Sequence, residues 1–373
     1  MDFTFSEEQN ELRAVLRKFL AARCSETEVR GVMESPTGLD EAVWRELAGQ
    51  VGLAGLAVPE AYGGAGTGFA ELGIAAEEIG SALACIPLFS TVVLATSALF
   101  LSGDEESCQR WLPRIVAGDL VATVAVAEGR REWNPEAIEC VASAEMGWRL
   151  TGTKTYVLDG SAAGLVIVAA RAGDSIGLFA VEQGAPGMAA SANSTMDLTR
   201  RFASVRFDAA PAVPLELDSR HTLERLYGIA LAMLAAEQVG GAQRCLDMAV
   251  SYAKQRYQFG RPIGSFQAIK HRCADDLILI EAARAASGYA LWAAGEEDEE
   301  DFILAARMAK AVCSEAFFRA AADNIQVHGG IGFTWEHPAH LYFKRAKSSE
   351  LWLGDPAVQR DQIGRMLELQ SLS

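Results

Sequence analysis

The sequence predicts an α+β chain in three parts: an N-terminal α-helical domain over 1–117, a middle antiparallel β domain over 118–216 and a C-terminal four-helix bundle over 217–373. Three observations carry this. Apolar residues recur at three-and-four spacing before about residue 115 and again after about 221, the mark of amphipathic helices. Between these regions, short β-rich runs are separated at brief intervals by Gly, Asp and Ser. A chain of 373 residues is also long for one core, so two or three domains are expected.

The elements follow in order. Ser6 and Gln9 have the spacing of a capping box, in which each side chain satisfies a free backbone N–H at a helix start. Leu12, Val15, Leu16, Phe19 and Leu20 then line one helical face. A second helix starts near Leu39-Asp40 and carries Val43, Leu47 and Val51. The glycine-rich stretch Pro59–Gly66 interrupts the helices, and Phe69–Leu83 resumes them. Past 118, Val121–Val126, Trp148–Thr151, Leu165–Val168 and Ile176–Phe179 have strand length, and the β region ends near Val213-Pro214. Periodic segments at 221–258, 265–294, 301–327 and 338–369, joined by short loops, make a bundle.

Charge and punctuation exclude several functions. With 33 basic and 49 acidic residues the net charge is −16, which repels nucleic acid. The run Glu296-Glu297-Asp298-Glu299-Glu300-Asp301 reads as a solvated loop between helices. The start, Met1–Glu8, is acidic and lacks the basic region of a secretory signal. No run of eighteen uncharged apolar residues occurs: Ile229–Val239 is too short and contains Glu237, so no membrane insertion is expected. Seven scattered cysteines without Cys-x-x-Cys fit reduced thiols in a cytoplasmic protein. His337 and His340 could share a helical face, but no cysteine or carboxylate pattern accompanies them, and no metal site is expected.

Four segments, in order, resemble the acyl-CoA dehydrogenase family across essentially the whole chain. Pro59-Glu60-x-Tyr62-Gly63-Gly64-x-Gly66 resembles its N-terminal glycine loop. Arg256-Tyr257-Gln258-Phe259-Gly260, followed by Phe266-Gln267, resembles its R-x-x-F-G segment. Gln326-Val327-His328-Gly329-Gly330-Ile331-Gly332 resembles its Q-x-x-G-G-x-G segment, and Lys344-Arg345-Ala346-Lys347 its R-D-A-K helix start. The resemblance implies a flavoprotein that desaturates an acyl-CoA thioester at α,β, with FAD shared at a dimer interface inside a tetramer and electron-transfer flavoprotein as acceptor. One carboxylate removes the α-proton while the β-hydrogen leaves as hydride to the flavin. In the shared half of that FAD site, the resemblance gives Arg256, Phe259, Gln326, Gly329 and Gly330 the cofactor contacts. Taken alone, Arg256 also reads as a helix-end cation, Phe259 as core, and the glycines as a helix C-cap.

Two departures matter. The family base lies six residues after the R-D-A-K lysine; counting from Lys347 that residue is Leu353, which cannot accept a proton. Some members carry the base on the first bundle helix instead, at the position of Ala230 here, with Leu231 beside it. Glu224-Arg225 would match only with a six-residue shift. Glu237, two turns beyond Ala230 on the same face, is the remaining candidate for a relocated base; its alternative reading is a glutamate paired with Arg or Lys. Asp355 and Glu350 flank the lost base without sharing its position. The second departure is in the β part: the T-E-P-x-x-G-S-D segment corresponds to Ala127-Glu128-Gly129-Arg130-Arg131-Glu132-Trp133, and the W-I-T-N-G strand to Tyr156-Val157-Leu158-Asp159-Gly160. One half of the flavin site is degraded while the shared half survives. This pattern resembles the base-lacking subunit of heterotetrameric actinobacterial members, an α2β2 assembly with a paralogous partner. The alternatives are a homo-oligomeric dehydrogenase with a relocated base and an acyl-CoA-binding scaffold without catalysis.

Overall fold

The structure is a computed structural model that describes residues 5–129, 133–296 and 298–372. Among the described residues six α-helices come first: α1 (Glu7–Arg23), α2 (Glu26–Glu34), α3 (Glu41–Glu46), α4 (Phe69–Ala82), α5 (Ser97–Ser102) and α6 (Glu105–Val116), with a π-helical stretch at Leu88–Thr96 before α5. Eight strands follow: β1 (Ala122–Ala125), β2 (Val141–Ser143), β3 (Arg149–Leu158), β4 (Leu165–Ala172), β5 (Ser175–Glu182), β6 (Met188–Ala192), β7 (Phe202–Pro211) and β8 (Val213–Glu216). Then come α7 (Arg220–Gln255), α8 (Gln267–Ala293), α9 (Glu299–His328), α10 (Ala339–Leu351) and α11 (Pro356–Leu372). The order is helical, β, helical, as the periodicity predicts. The Ser6–Gln9 capping box forms in both directions, at 3.2 and 3.0 Å.

Packing groups the chain into two compact units, residues 1–29, 73–84 and 231–373 in one, 30–72 and 85–230 in the other. In the second unit the sheet runs β6-β7-β3-β2-β4-β5-β8, with β1 beside β4. The pairing is antiparallel except that β1, and one bridge from β2, run parallel to β4, so the sheet is mixed. Its core takes alternate residues along the strands, among them Leu150, Val166, Val168, Phe179, Val205 and Phe207.

Among the described residues, the C-terminal periodic segments become the five helices α7–α11. The stretch expected as one helix over 338–369 is broken between α10 and α11. Leu353 (φ 60°) and Gly354 (φ 85°) take left-handed conformations, which end a helix. Asp355 Oδ1 then accepts the backbone N–H groups of Ala357 and Val358 at 2.9 and 3.0 Å, and Pro356 opens α11. Of the acidic run, Asp298 caps α9, Glu299–Asp301 form its first turn, and Glu297 lies outside the described residues. Acidic residues there complement the positive end of the helix dipole.

Candidate functional site

Within the first unit the structure brings the two resembling loops together. Val327 packs with Ala249 and Ala253 of α7 in a small apolar cluster, against which Tyr252, Ile263 and Ile269 lie. The segment after Arg256 and the segment around Gln326 therefore share one anchorage. The side chains expected to contact the cofactor stand in solvent. Arg256 and Gln326 are exposed, and Phe259 is 92% exposed. Phe259 also holds φ 53°, a conformation that a bulky residue adopts only where the surroundings fix it. Its ring meets Phe266 edge-on at 6.2 Å, and the Arg261 guanidinium lies 4.1 Å from the Phe266 ring. Gly329 (φ 66°) and Gly330 are exposed, and a Cβ at either would meet open space. A large ligand can thus approach that backbone closely. Residues 254–272 hold five cations (Lys254, Arg256, Arg261, Lys270, Arg272) and no acidic residue, a local reversal of the −16 total. An exposed guanidinium, an exposed ring and bare glycine backbone suit a pyrophosphate joined to flat rings.

Leu353, the residue expected in the base's place, sits in a turn that is held firmly. Lys310 of α9 is fully buried, and its Nζ donates to Ser314 Oγ at 2.9 Å, Glu350 O at 3.0 Å and Gly354 O at 3.1 Å. Gln359 Nε2 donates to Leu353 O at 2.7 Å. Leu353 itself is 0% exposed. Ala230 and Leu231 are buried too. Of the carboxylates nearby in sequence, Asp355 caps α11, and Glu350 pairs with Lys347 through Oε1 at 2.9 Å while its Oε2 is buried without a hydrogen-bond partner among the described residues. Glu237 meets Arg345 Nη1 at 2.9 Å, with both side chains nearly inaccessible. Arg345 stands where the R-D-A-K pattern has its acidic residue. That departure signals the pairing, yet the partner on α7 is not readable from sequence. Lys310 is the other residue sequence reasoning passed over. Its only signal is a lone charge among Ala306, Ala309, Cys313 and Phe317 on a buried helical face.

The β unit presents the opposite picture. Ala127 and Leu158, expected from the resemblance at the positions of hydroxyl-bearing residues, are buried. Glu128 is occupied by the fold: it pairs with the buried Lys154 and accepts the N–H groups of Glu139 at 2.8 Å and Cys140 at 3.1 Å. Burial depresses the Lys154 pKa, against the pull of Glu128. Thr123 Oγ1 donates to Leu158 O at 2.6 Å and Ser90 Oγ to Asp159 Oδ2 at 2.6 Å, so the nearby hydroxyls serve the protein itself. Arg130, Arg131 and Glu132 lie outside the described residues. The loops of the first unit fit the shared half of a FAD site, whereas the strand ends of the β unit do not fit the other half. Among the described residues, no group of three or more His, Cys, Asp or Glu could hold a metal ion, and no helix is long and apolar enough to cross a membrane.

Helical ends, a β middle, glycine and R-x-x-F-G loops packed side by side and a held turn after α10 together define an FAD-dependent acyl-CoA dehydrogenase class. Residues 6–119 match the acyl-CoA dehydrogenase N-terminal domain and residues 228–368 its C-terminal domain. The chain belongs to the acyl-CoA dehydrogenase family, whose cofactor is FAD. It is 36% identical over 361 residues to acyl-CoA dehydrogenase IpdE2 of Mycolicibacterium smegmatis, covering 97% of this chain and 98% of that one. Among solved structures it resembles a variant of the Tcur3481-Tcur3483 steroid ACAD, with a TM-score of 0.90, 35% identity and coverage of 98% and 99%. It also resembles the ChsE4-ChsE5 complex from Mycobacterium tuberculosis, with a TM-score of 0.90, 32% identity and coverage of 99% of each chain.

Proposed function

We propose that this chain is the base-lacking subunit of a heteromeric acyl-CoA dehydrogenase, lending its exposed loops to a FAD seated in a paralogous, base-bearing subunit. The observation that carries the proposal is Leu353: a fully buried hydrocarbon in the base's place. The likeness to two solved structures, each named as a pair of proteins, supports it. Bound FAD supplies the acceptor for the β-hydrogen, as hydride. The residues of this chain bind and orient it. Arg256 forms a fork of charge-assisted bonds to the pyrophosphate, Phe259 offers an aromatic face, Gln326 hydrogen-bonds, and Gly329 and Gly330 allow the cofactor against the backbone. The α-proton goes to a carboxylate of the partner subunit, because Glu237 is buried with an oxygen already accepting from Arg345.

The substrate is an acyl-CoA thioester, and the steroid enzyme among the similar structures favours a steroid-derived one. The assembly is α2β2, electron-transfer flavoprotein takes the electrons, and the setting is cytoplasmic. The test is the purified chain alone: colourless or weakly yellow, and inactive with acyl-CoA and an artificial electron acceptor. Stoichiometric FAD with robust turnover from the single chain would instead establish the self-sufficient enzyme with a relocated base.

A further inference from the structure

We propose that Asp276 of α8 and Asp323 of α9 hold one proton between them inside the bundle, and that this proton fastens α8 to α9 just before the glycine turn at 329–332. The proposal concerns the stability of the bundle and holds whether or not the chain shares a flavin.

The geometry comes first. Asp276 is 2% exposed and Asp323 3%. Arg272 lies one turn before Asp276 on the same face of α8 and pairs with Asp323 Oδ1, which sets the 272–276 face against Asp323. Arg319 Nε donates to the other oxygen, Oδ2, at 2.7 Å. Asp323 therefore has a cation on each oxygen. Asp276 Oδ1 has no partner among the described residues. Two buried carboxylates side by side are tolerable only if one is neutral, and a protonated Asp276 can donate to Asp323. Burial first, then the charge of Asp323 and the hydrogen bond to it, push Asp276 up to about 7, with Arg319 and Arg272 pulling the other way.

The charged and titratable groups around the pair are few. Facing it are Arg272 and Cys273 from α8, Arg319 from α9, and Cys245 from α7, while the exposed Asp275 acts on Arg319. Burial raises both thiols, so they stay neutral. Beside Cys245 lies the fully buried Asn324, whose side-chain amide finds no oxygen or nitrogen partner among the described residues. The region thus has little polar support to spare. It connects to the turn within a few residues: His328 Nδ1 donates to Asn324 O at 2.8 Å, and the His328 ring sits 4.3 Å from Tyr252 and 4.1 Å from His337, immediately before Gly329.

The sign is fixed by linkage. An acid whose folded pKa lies above its unfolded value of 3.8 lends stability that is complete below that value and is lost as pH rises through about 7. His328, held low by burial, works in the opposite direction, so the wild-type curve mixes both. The Asp276→Asn variant keeps His328 and replaces the protonated acid with a neutral donor of the same shape. The test is the thermal midpoint of the full-length wild type and of Asp276→Asn from pH 5.5 to 8.5. The expected result is near-coincidence at pH 5.5 and a variant higher by about 2–4 °C at pH 8.5. Parallel curves, or a variant lower at pH 8.5, overturn the proposal. Should the variant not fold, hydrogen exchange of the wild type decides. Amides at 320–332 must gain exchange between pH 6 and 8 beyond the intrinsic rise shown by α1, and an equal rise in both overturns the proposal.

Discussion

Breaking the contact between Glu237 and Arg345 separates a structural glutamate from a catalytic one. The side chains are 7% and 5% exposed, and Oε1 lies 2.9 Å from Nη1. At that distance two unit charges attract by about 6 kcal/mol at an effective dielectric constant of 20, a gain largely offset by the desolvation of both ions. Removing one partner leaves the other's charge buried, a loss of roughly 3–5 kcal/mol. Glu237→Gln keeps an oxygen that can accept from Arg345, so its cost falls near 2–3 kcal/mol, below that of Arg345→Met. The double variant Glu237→Leu with Arg345→Met removes both charges and should return to within about 1 kcal/mol of wild type. The assay is urea unfolding of all four proteins, with turnover of the active assembly measured per bound flavin. Large single losses that cancel in the double variant, with turnover kept in Glu237→Gln, are expected. Unchanged stability in Glu237→Gln together with a hundredfold loss of turnover would refute this reading and make Glu237 the base.

Arg256→Ala, in an assembly with the base-bearing subunit, should weaken FAD ten- to hundredfold, since a charge-assisted fork is worth roughly 1.5–3 kcal/mol; Lys should rescue only in part, as flavin absorbance after gel filtration will show. Phe259→Ala should also shed flavin while changing the unfolding midpoint little, because the ring is 92% exposed. Lys310→Met strips the donor from Glu350 O and Gly354 O and should cost about 2–4 kcal/mol, with faster amide exchange confined first to the turn after α10.

Much of this was legible in the chain because it depends on local spacing. The Ser6–Gln9 cap, the periodic faces of α1 and α7–α9, and the short strands from Val121 to Phe179 are set by residues a few positions apart. Gly354, Asp355 and Pro356 do signal the break after α10, though it lies inside a periodic stretch; only the left-handed backbone of Leu353 has no sequence cue. The parallel run of β1 beside β4 was equally hidden, since a strand's partner is chosen by tertiary packing rather than by its own composition. At the candidate site, the motifs located Arg256–Gly260 and Gln326–Gly330 as separate loops, but only folding reveals that Val327 ties both to α7. The pairing of Glu237 with Arg345 spans 108 positions, and Lys310 reaches carbonyls 40 and 44 positions away. Nothing local encodes such contacts.

The flavin count of the reconstituted assembly is the most direct measurement. This chain and its base-bearing paralogue would be purified separately, mixed with excess FAD, passed through gel filtration, and assayed for flavin absorbance against protein mass. The buried Ala127 and Leu158, together with the exposed Arg256, Phe259, Gln326 and Gly330, predict one FAD per pair of chains, with little flavin and no turnover in this chain alone. Two FAD per pair, or a full complement of flavin and activity in the lone chain, would contradict the shared-site assignment.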